Sequence, residues 1–196
     1  MSEIIVTKRP ETVSWASISE VLHRAHADNV RRGIRMGYPQ LPPDQLREKT
    51  EGRGGEMLVA LADGRLVGTA AVVRIEKMFW CGRGPYAYCF LDAVVPEYAG
   101  KGVFGKLEAL QIQWARREGI ACMLLDTNER NERMLRHCRK NGYRAVDYRI
   151  RDGYHSVILV KWLDGCPYPR IWCWIKYLHK KWKRKQDAKK RDDGKE

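Results

Sequence analysis

The chain has 196 residues, 44% of them hydrophobic, enough for one domain with a sizeable core plus appendages. Its formal net charge is +13, with ten basic and four acidic residues from Lys176 to Glu196 and the remaining excess spread over the body. A diffuse basic face of this kind favours an anionic ligand such as a nucleotide or coenzyme, and does not by itself indicate nucleic acid.

The N-terminus lacks the basic-then-apolar pattern of a secretory leader, and no apolar run approaches the ~20 residues that span a bilayer. The six cysteines form no CxxC pair. Cys166 and Cys173 with His179 match no zinc spacing, so no metal is expected. Cys89 and Cys122 sit in apolar runs and read as small core residues. A reduced, cytoplasmic protein is the expectation.

In chain order, residues 3–8 alternate as a first strand. Ser14 precedes Trp15, Ile18, Val21, Leu22 and Ala25, an N-cap followed by helical spacing, and Gly33 closes that helix after about Arg32. Pro42-Pro43-Asp44 opens a short helix through Glu48. Residues 56–62, Asp63-Gly64 and residues 65–74 predict a β-hairpin, because Asp-Gly between two apolar runs is a strong hairpin signal. A looser turn at 81–85 leads into a strand over 86–95. A helix follows from about Val103 to Glu118-Gly119, carrying Leu107, Leu110, Ile112, Trp114 and Ala115. Residues 120–126 form a fully apolar strand of the buried parallel kind. A helix over 131–140 ends at Asn141-Gly142. Residues 143–150 and 154–162 close the domain as a hairpin around 151–153. Pro167 and Pro169 then break the chain. Ile171, Trp174, Ile175, Leu178 and Trp182 fall on one face of a basic amphipathic C-terminal helix, and the polar tail after Gln186 is expected to be disordered. The expected division is 1–165 for the folded domain and 166–196 for the appendage.

The chain is organised around Val94-Val95-Pro96-Glu97-Tyr98-Ala99-Gly100-Lys101-Gly102-Val103-Phe104-Gly105. Glycines let a ligand approach the backbone, and a helix N-terminus presents unpaired N–H groups of positive dipole character, which together make an anion cradle. Gly100 to Gly105 reads literally as GxGxxG, and Asp126 follows about twenty residues on, as in a dinucleotide-binding fingerprint. Three features oppose that reading. Four residues separate the strand from the first glycine, the loop follows an antiparallel meander, and too little ordered chain remains for a second mononucleotide half.

The order of elements instead resembles the GNAT superfamily of N-acetyltransferases over about residues 3–162. The resemblance is most specific in Ala93-Val94-Val95-Pro96-Glu97-Tyr98-Ala99-Gly100-Lys101-Gly102 and in the block from Asn131 to Gly142-Tyr143. It implies an α+β fold with a mixed, mostly antiparallel sheet of about seven strands flanked by helices. It also implies acetyl-CoA as co-substrate, and direct acyl transfer to a primary amine in a ternary complex without a metal. Onto this sequence it places Ala93, Val94 and Val95 along the pantetheine arm. The pyrophosphate falls to the amides of Gly100, Lys101, Gly102, Val103, Phe104 and Gly105, with the charge of Lys101. Asn131 matches an asparagine that contacts the arm. The chain departs from the family at Ala99, where Arg or Gln is usual, and at Phe104, where Gly or Ala is usual.

Cys138 stands where the family commonly has the tyrosine that reprotonates the CoA thiolate. It reads either as that acid or as a core cysteine, and Tyr143 and Tyr154 are possible stand-ins. For the base that takes the amine proton, Asp126 at the end of the fifth strand is the first candidate, with Asp92, Glu97 and His155 as rivals. Asp126 alternatively caps a turn, Asp92 pairs with a basic neighbour, and Glu97 is solvated.

Rival functions are a catalytically weak CoA-binding sensor or scaffold, and a nucleic-acid-binding protein on the same fold; nucleic acid is the less expected partner. The acceptor is an amine on a small molecule or protein. Its specificity is expected from residues 15–51 and 77–85, where Phe79, Trp80 and Arg83 suit a ring-bearing or anionic acceptor such as a sugar nucleotide. The C-terminal helix either packs on the domain or contacts the inner membrane surface peripherally. A homodimer stays open.

Overall fold

A computed structural model describes residues 3–37, 41–78, 82–151, 154–163, 178, 179 and 182. The first strand β1 (Ile4–Lys8) is followed by α1 (Trp15–Arg31) and α2 (Pro43–Thr50). Strands β2 (Glu56–Ala62), β3 (Arg65–Met78) and β4 (Gly82–Val94) form the antiparallel meander. Then come α3 (Val103–Arg117), β5 (Cys122–Asn128), α4 (Glu132–Lys140), β6 (Arg144–Arg151) and β7 (Tyr154–Trp162). They build one seven-stranded sheet in the order β1-β2-β3-β4-β5-β7-β6. Every adjacent pair is antiparallel except β4 with β5. The mixed, mostly antiparallel seven-stranded sheet flanked by helices is therefore present.

Local chemistry sets the element ends. Ser14 caps α1 by accepting a hydrogen bond from the Ser17 N–H at 3.1 Å. The second helix runs past Glu48 to Thr50, whose hydroxyl donates to the Leu46 carbonyl at 2.9 Å. The fifth strand starts at Cys122 and not at Ile120. Gly119 turns the chain at φ +67°, and the Ile120 N–H is spent on the Ala115 carbonyl at 2.8 Å. β3 and β4 are longer than expected because they stay paired out to Met78 opposite Gly82.

The two faces of the sheet carry different helices. Ile18, Leu22 and Leu46 of α1 and α2 pack with Met57, Ala71, Val73 and Phe90. Trp114 and Ala115 of α3 and Cys138 of α4 pack with Val72, Ala87, Cys89, Met123 and Leu125 on the other face. Cys89 and Cys122 are buried free thiols, as core residues should be.

One break in the sheet matters for function. β4 and β5 pair only at Ala87 with Met123 and Tyr88 with Leu124. Beyond Tyr88 the two strands part. Opposite Ala71 and Thr69, β4 spends one residue more than β3, from Phe90 to Ala93. Leu91 sits at φ 55° in this bulge, and its carbonyl accepts from the Thr69 hydroxyl at 2.8 Å. A bulge bends its strand and raises its local twist, which here carries the end of β4 away from β5.

Phe79, Trp80 and Cys81, the turn at 152–153, and Cys166 and Cys173 lie outside the described residues. So do the amphipathic helix expected over 171–182 and the tail after Gln186, apart from Leu178, His179 and Trp182. Among the described residues, no helix is long and apolar enough to cross a membrane.

Candidate active site

The parted strands open a cleft of about 590 Å³, walled by the ends of β4 and β5, the start of α3, one side of α4 and the C-terminal half of α1. Its β4 wall runs from Cys89 to Val94 and its β5 wall from Leu125 to Thr127. Because β4 has no strand partner on this side past Tyr88, its edge amides and carbonyls face the cleft, ready to pair with an extended ligand.

The glycine loop closes one end. A 3-10 turn (Pro96–Tyr98) leads into Gly100 at φ +78° and Gly102 at φ +77°, left-handed positions that suit glycine. The first backbone bond of α3 is Lys106 N–H to Gly102 carbonyl at 3.2 Å, and no side chain caps the helix. The amides of Val103, Phe104 and Gly105 are thus left for a ligand. A Cβ added at Gly100, Gly102 or Gly105 would meet no atom within 4 Å. The loop therefore has space for an anionic group as well as donors for it.

Of the residues expected to hold a coenzyme, Ala93, Val94, Gly100, Gly102, Val103, Phe104, Gly105 and Asn131 line the cleft. Val95 and Lys101 do not. The Val95 N–H pairs with the Val67 carbonyl at 3.0 Å and its side chain is buried. Lys101 is exposed, with its ammonium 4.8 Å from the Tyr98 ring centre. Phe104 packs edge-on against His137, centroids 4.3 Å apart. Asn131 caps α4 by accepting from the Met134 N–H at 3.4 Å, and donates to the Thr127 hydroxyl at 3.1 Å.

The two leading carboxylates lie on opposite faces of the split. Asp126 follows Leu124 on the α1/α2 face, where it accepts from the Tyr88 hydroxyl on Oδ1 and from Ser156 on Oδ2 at 2.9 Å. Asp92 faces α3, where Gln111 Nε2 donates to its Oδ1 at 2.9 Å. Burial pushes the Asp92 carboxyl well above the usual carboxylate range, the Glu108 charge adds to this, and the Gln111 hydrogen bond opposes it. Glu97 is exposed and pairs with Arg24 at 3.3 Å, outside the cleft wall; His155 is also off it.

Cys138 is fully buried and does not line the cleft. Burial, then the charges of Asp92 and Glu108, push its thiol up to about 12. Tyr143 is likewise buried, at 2% exposure, and burial pushes its phenol well above the usual value.

Sequence reasoning missed three participants. Glu108 on α3 accepts from Lys161 at 2.9 Å and lies 3.5 Å from His137. Burial works against its ionisation, but hydrogen bonds from His137 and Lys161 outweigh it and hold its carboxyl below the usual value. Gln111 on the same helix reaches both Asp92 and the Ala71 carbonyl, the latter at 3.0 Å. His26 on α1 lines the cleft with Nδ1 buried and unpartnered, and burial lowers its imidazole to about 4. Only His26 left a legible signal: it falls four residues after Leu22 on an apolar helical stripe.

Comparison with known proteins adds a family and a set of similar folds. Residues 15–143 match the acetyltransferase (GNAT) family. The chain belongs to that family. Its reaction class is acyl transfer from coenzyme A. An acetyltransferase from Streptococcus agalactiae 2603 superposes with a TM-score of 0.63 at 21% identity, covering 82% of this chain and 98% of its own. The paia N-acetyltransferase from Thermoplasma acidophilum, solved with coenzyme A, gives 0.62 at 18% identity over 82% and 99%. A GNAT family acetyltransferase from Elizabethkingia anophelis with acetyl-CoA bound gives 0.59 at 15% over 82% and 98%. At these identities the likeness establishes the fold. No curated protein sequence matches the chain. Among the described residues, no group of three or more His, Cys, Asp and Glu is placed to hold a metal ion.

Proposed function

We propose that this acetyltransferase moves an acetyl group from acetyl-CoA to a primary amine by direct attack in a complex that holds both substrates. The observation that carries the reading is the β4–β5 split, which ends on the unpaired amides of Val103, Phe104 and Gly105 and has Asp126 in its wall. The coenzyme supplies an activated thioester. The chain's own residues do the rest. The free edge of β4 at Ala93 and Val94 orients the pantetheine arm, with Asn131 beside it, and the loop amides hold the pyrophosphate. Lys101 and Val95 contribute less directly, since neither lines the cleft.

Asp126 is assigned as the base. Tyr88 and Ser156 fix both of its oxygens on the α1/α2 face, so the carboxylate is held in place to take the amine proton, directly or through water. His26, neutral and with an unpartnered Nδ1 in the same cleft, is assigned a hydrogen bond to the acceptor. The amine belongs to a small molecule or a protein. Residues 1–165 are assigned as the transferase unit. The basic amphipathic segment over 171–182 either packs on the domain or contacts an anionic membrane surface, and liposome flotation with and without residues 168–196 separates the two.

The test of the main reading is thiol release from acetyl-CoA across an amine panel, alongside calorimetry of CoA binding. Turnover with one amine class and saturable CoA binding are expected. Undetectable CoA binding at millimolar ligand overturns the reading. Tight binding with no thiol release supports a second reading, a CoA-binding sensor, which the burial of Cys138 favours by leaving α4 without an acid at the tyrosine position.

A further inference from the structure

The α3/α4 side of the split holds a concentration of polar groups. Glu108 and Gln111, which are buried, and Asp92, Lys161 and His137, which are half-buried, meet there, close to the thiols of Cys89 and Cys138. A buried carboxylate costs free energy unless a cation or several donors satisfy it. Glu108 is satisfied, by Lys161 and His137. Asp92 is not. Gln111 holds its Oδ1; among the described residues Oδ2 accepts no hydrogen bond, and no cation pairs with the group. The bulge at Leu91 is what puts it there. Leu91 joins Phe90 and Ala93 on the α1/α2 side, so the strand's alternation slips and Asp92 turns toward Gln111 of α3.

We propose that the Asp92 carboxyl delivers the proton that the coenzyme A sulfur takes up as its carbon–sulfur bond breaks. The inference rests on the acyl-transfer reading above. Asp92 lines the cleft on the same side as the α3 amides, opposite Asp126. The groups around it are Gln111 and Glu108 from α3, Cys138 from α4, Cys89 from β4 and Tyr143, with Lys161 and His137 against Glu108. None of the other proton-bearing groups serves as well. Cys138 and Tyr143 are sealed in the core, and the ring nitrogens of His137 face Glu108 and the Asn141 amide. Burial and the nearby Glu108 charge both favour the protonated form of the Asp92 carboxyl. Two carboxyls in contrasting surroundings thereby divide the work. As the new carbon–nitrogen bond forms, Asp126 takes the amine proton. The electron pair of the carbon–sulfur bond goes to sulfur, and Asp92 supplies the proton that neutralises it. Asp92 regains a proton from water, and Asp126 releases its own.

Infrared difference spectroscopy of the full chain, wild type against Asp92→Asn, tests this without any acceptor. A protonated-carboxyl band absent from the variant is expected at neutral pH. Coenzyme A should shift that band and desulfo-coenzyme A, which lacks the sulfur, should not. Where an amine is turned over, Asp92→Asn should lower kcat roughly 100-fold with KM for acetyl-CoA little changed, as for loss of a general acid. The wild-type fall in kcat at high pH should vanish in the variant. Asn can still accept the Gln111 hydrogen bond, and a melting curve checks the fold. No protonated carboxyl at neutral pH, or identical spectra with the two ligands, overturns the assignment. So does full activity in Asp92→Asn, while CoA binding to the wild type continues to test the broader reading separately.

Discussion

Gly102 holds φ +77° at the N-cap of α3 with nothing within 4 Å of a would-be Cβ. Lys101 beside it points its ammonium at Tyr98, outside the cleft wall. These placements separate the two residues' contributions. Gly102→Val strains the left-handed turn and fills the cradle, and is expected to weaken CoA binding at least about 100-fold by calorimetry. Lys101→Ala removes an exposed charge and is expected to weaken it about fivefold or less. A larger loss for Lys101→Ala would show that side-chain charge, not backbone amides, holds the ligand. His26 makes a second residue-scale prediction. Its folded value of about 4 lies below the ordinary imidazole value of 6.5, so the unfolded chain binds the proton more readily. Its contribution to stability is complete above pH 6.5 and is lost as pH falls toward 4. The loss amounts to about 1–3 kcal/mol. Denaturant melts of wild type and His26→Gln between pH 7 and 4.5 should show the variant losing less; parallel curves would count against a buried neutral histidine.

At the scale of elements, the site depends on how firmly α3 is seated, because its first turn supplies the donors. Leu107 and Trp114 are buried against the sheet, while Gln113 is exposed. Leu107→Ala should cost about 2–5 kcal/mol and lower the melting temperature accordingly, whereas Gln113→Ala should stay within about 0.5 kcal/mol. Equal effects would mean that α3 does not pack as described. The elements themselves were largely legible. Ser14 as a cap, the Asp63-Gly64 hairpin and Gly119 after α3 each act through near neighbours, which a sequence displays. Boundaries missed by a residue or two, such as Cys122 for the start of β5, depend on which strand takes the pairing.

At the scale of the molecule, the parted sheet is what turns a glycine-rich turn into a site. The loop could be read as an anion cradle from its residues, and the order of elements pointed to its family. The cleft wall could not be read in the same way. Strand alternation has a period of two, so one extra residue moves every later side chain to the other face. The bulge at Leu91 arises from pairing with β3, more than twenty positions earlier in the chain, and leaves no mark in local composition. It decides that Asp92 faces α3, the side away from Asp126.

The sequence by itself determined the family, the element order and the phosphate-type loop, because caps, turns and apolar periodicity are short-range physics. Only the tertiary structure decided that Cys138 is sealed away and, among the described residues, that the buried His26 Nδ1 has no partner and that Glu108 has taken Lys161 and left Asp92 without a countercharge. Those outcomes depend on what non-local packing brings within a few ångströms, and on which buried charge finds its partner first in space.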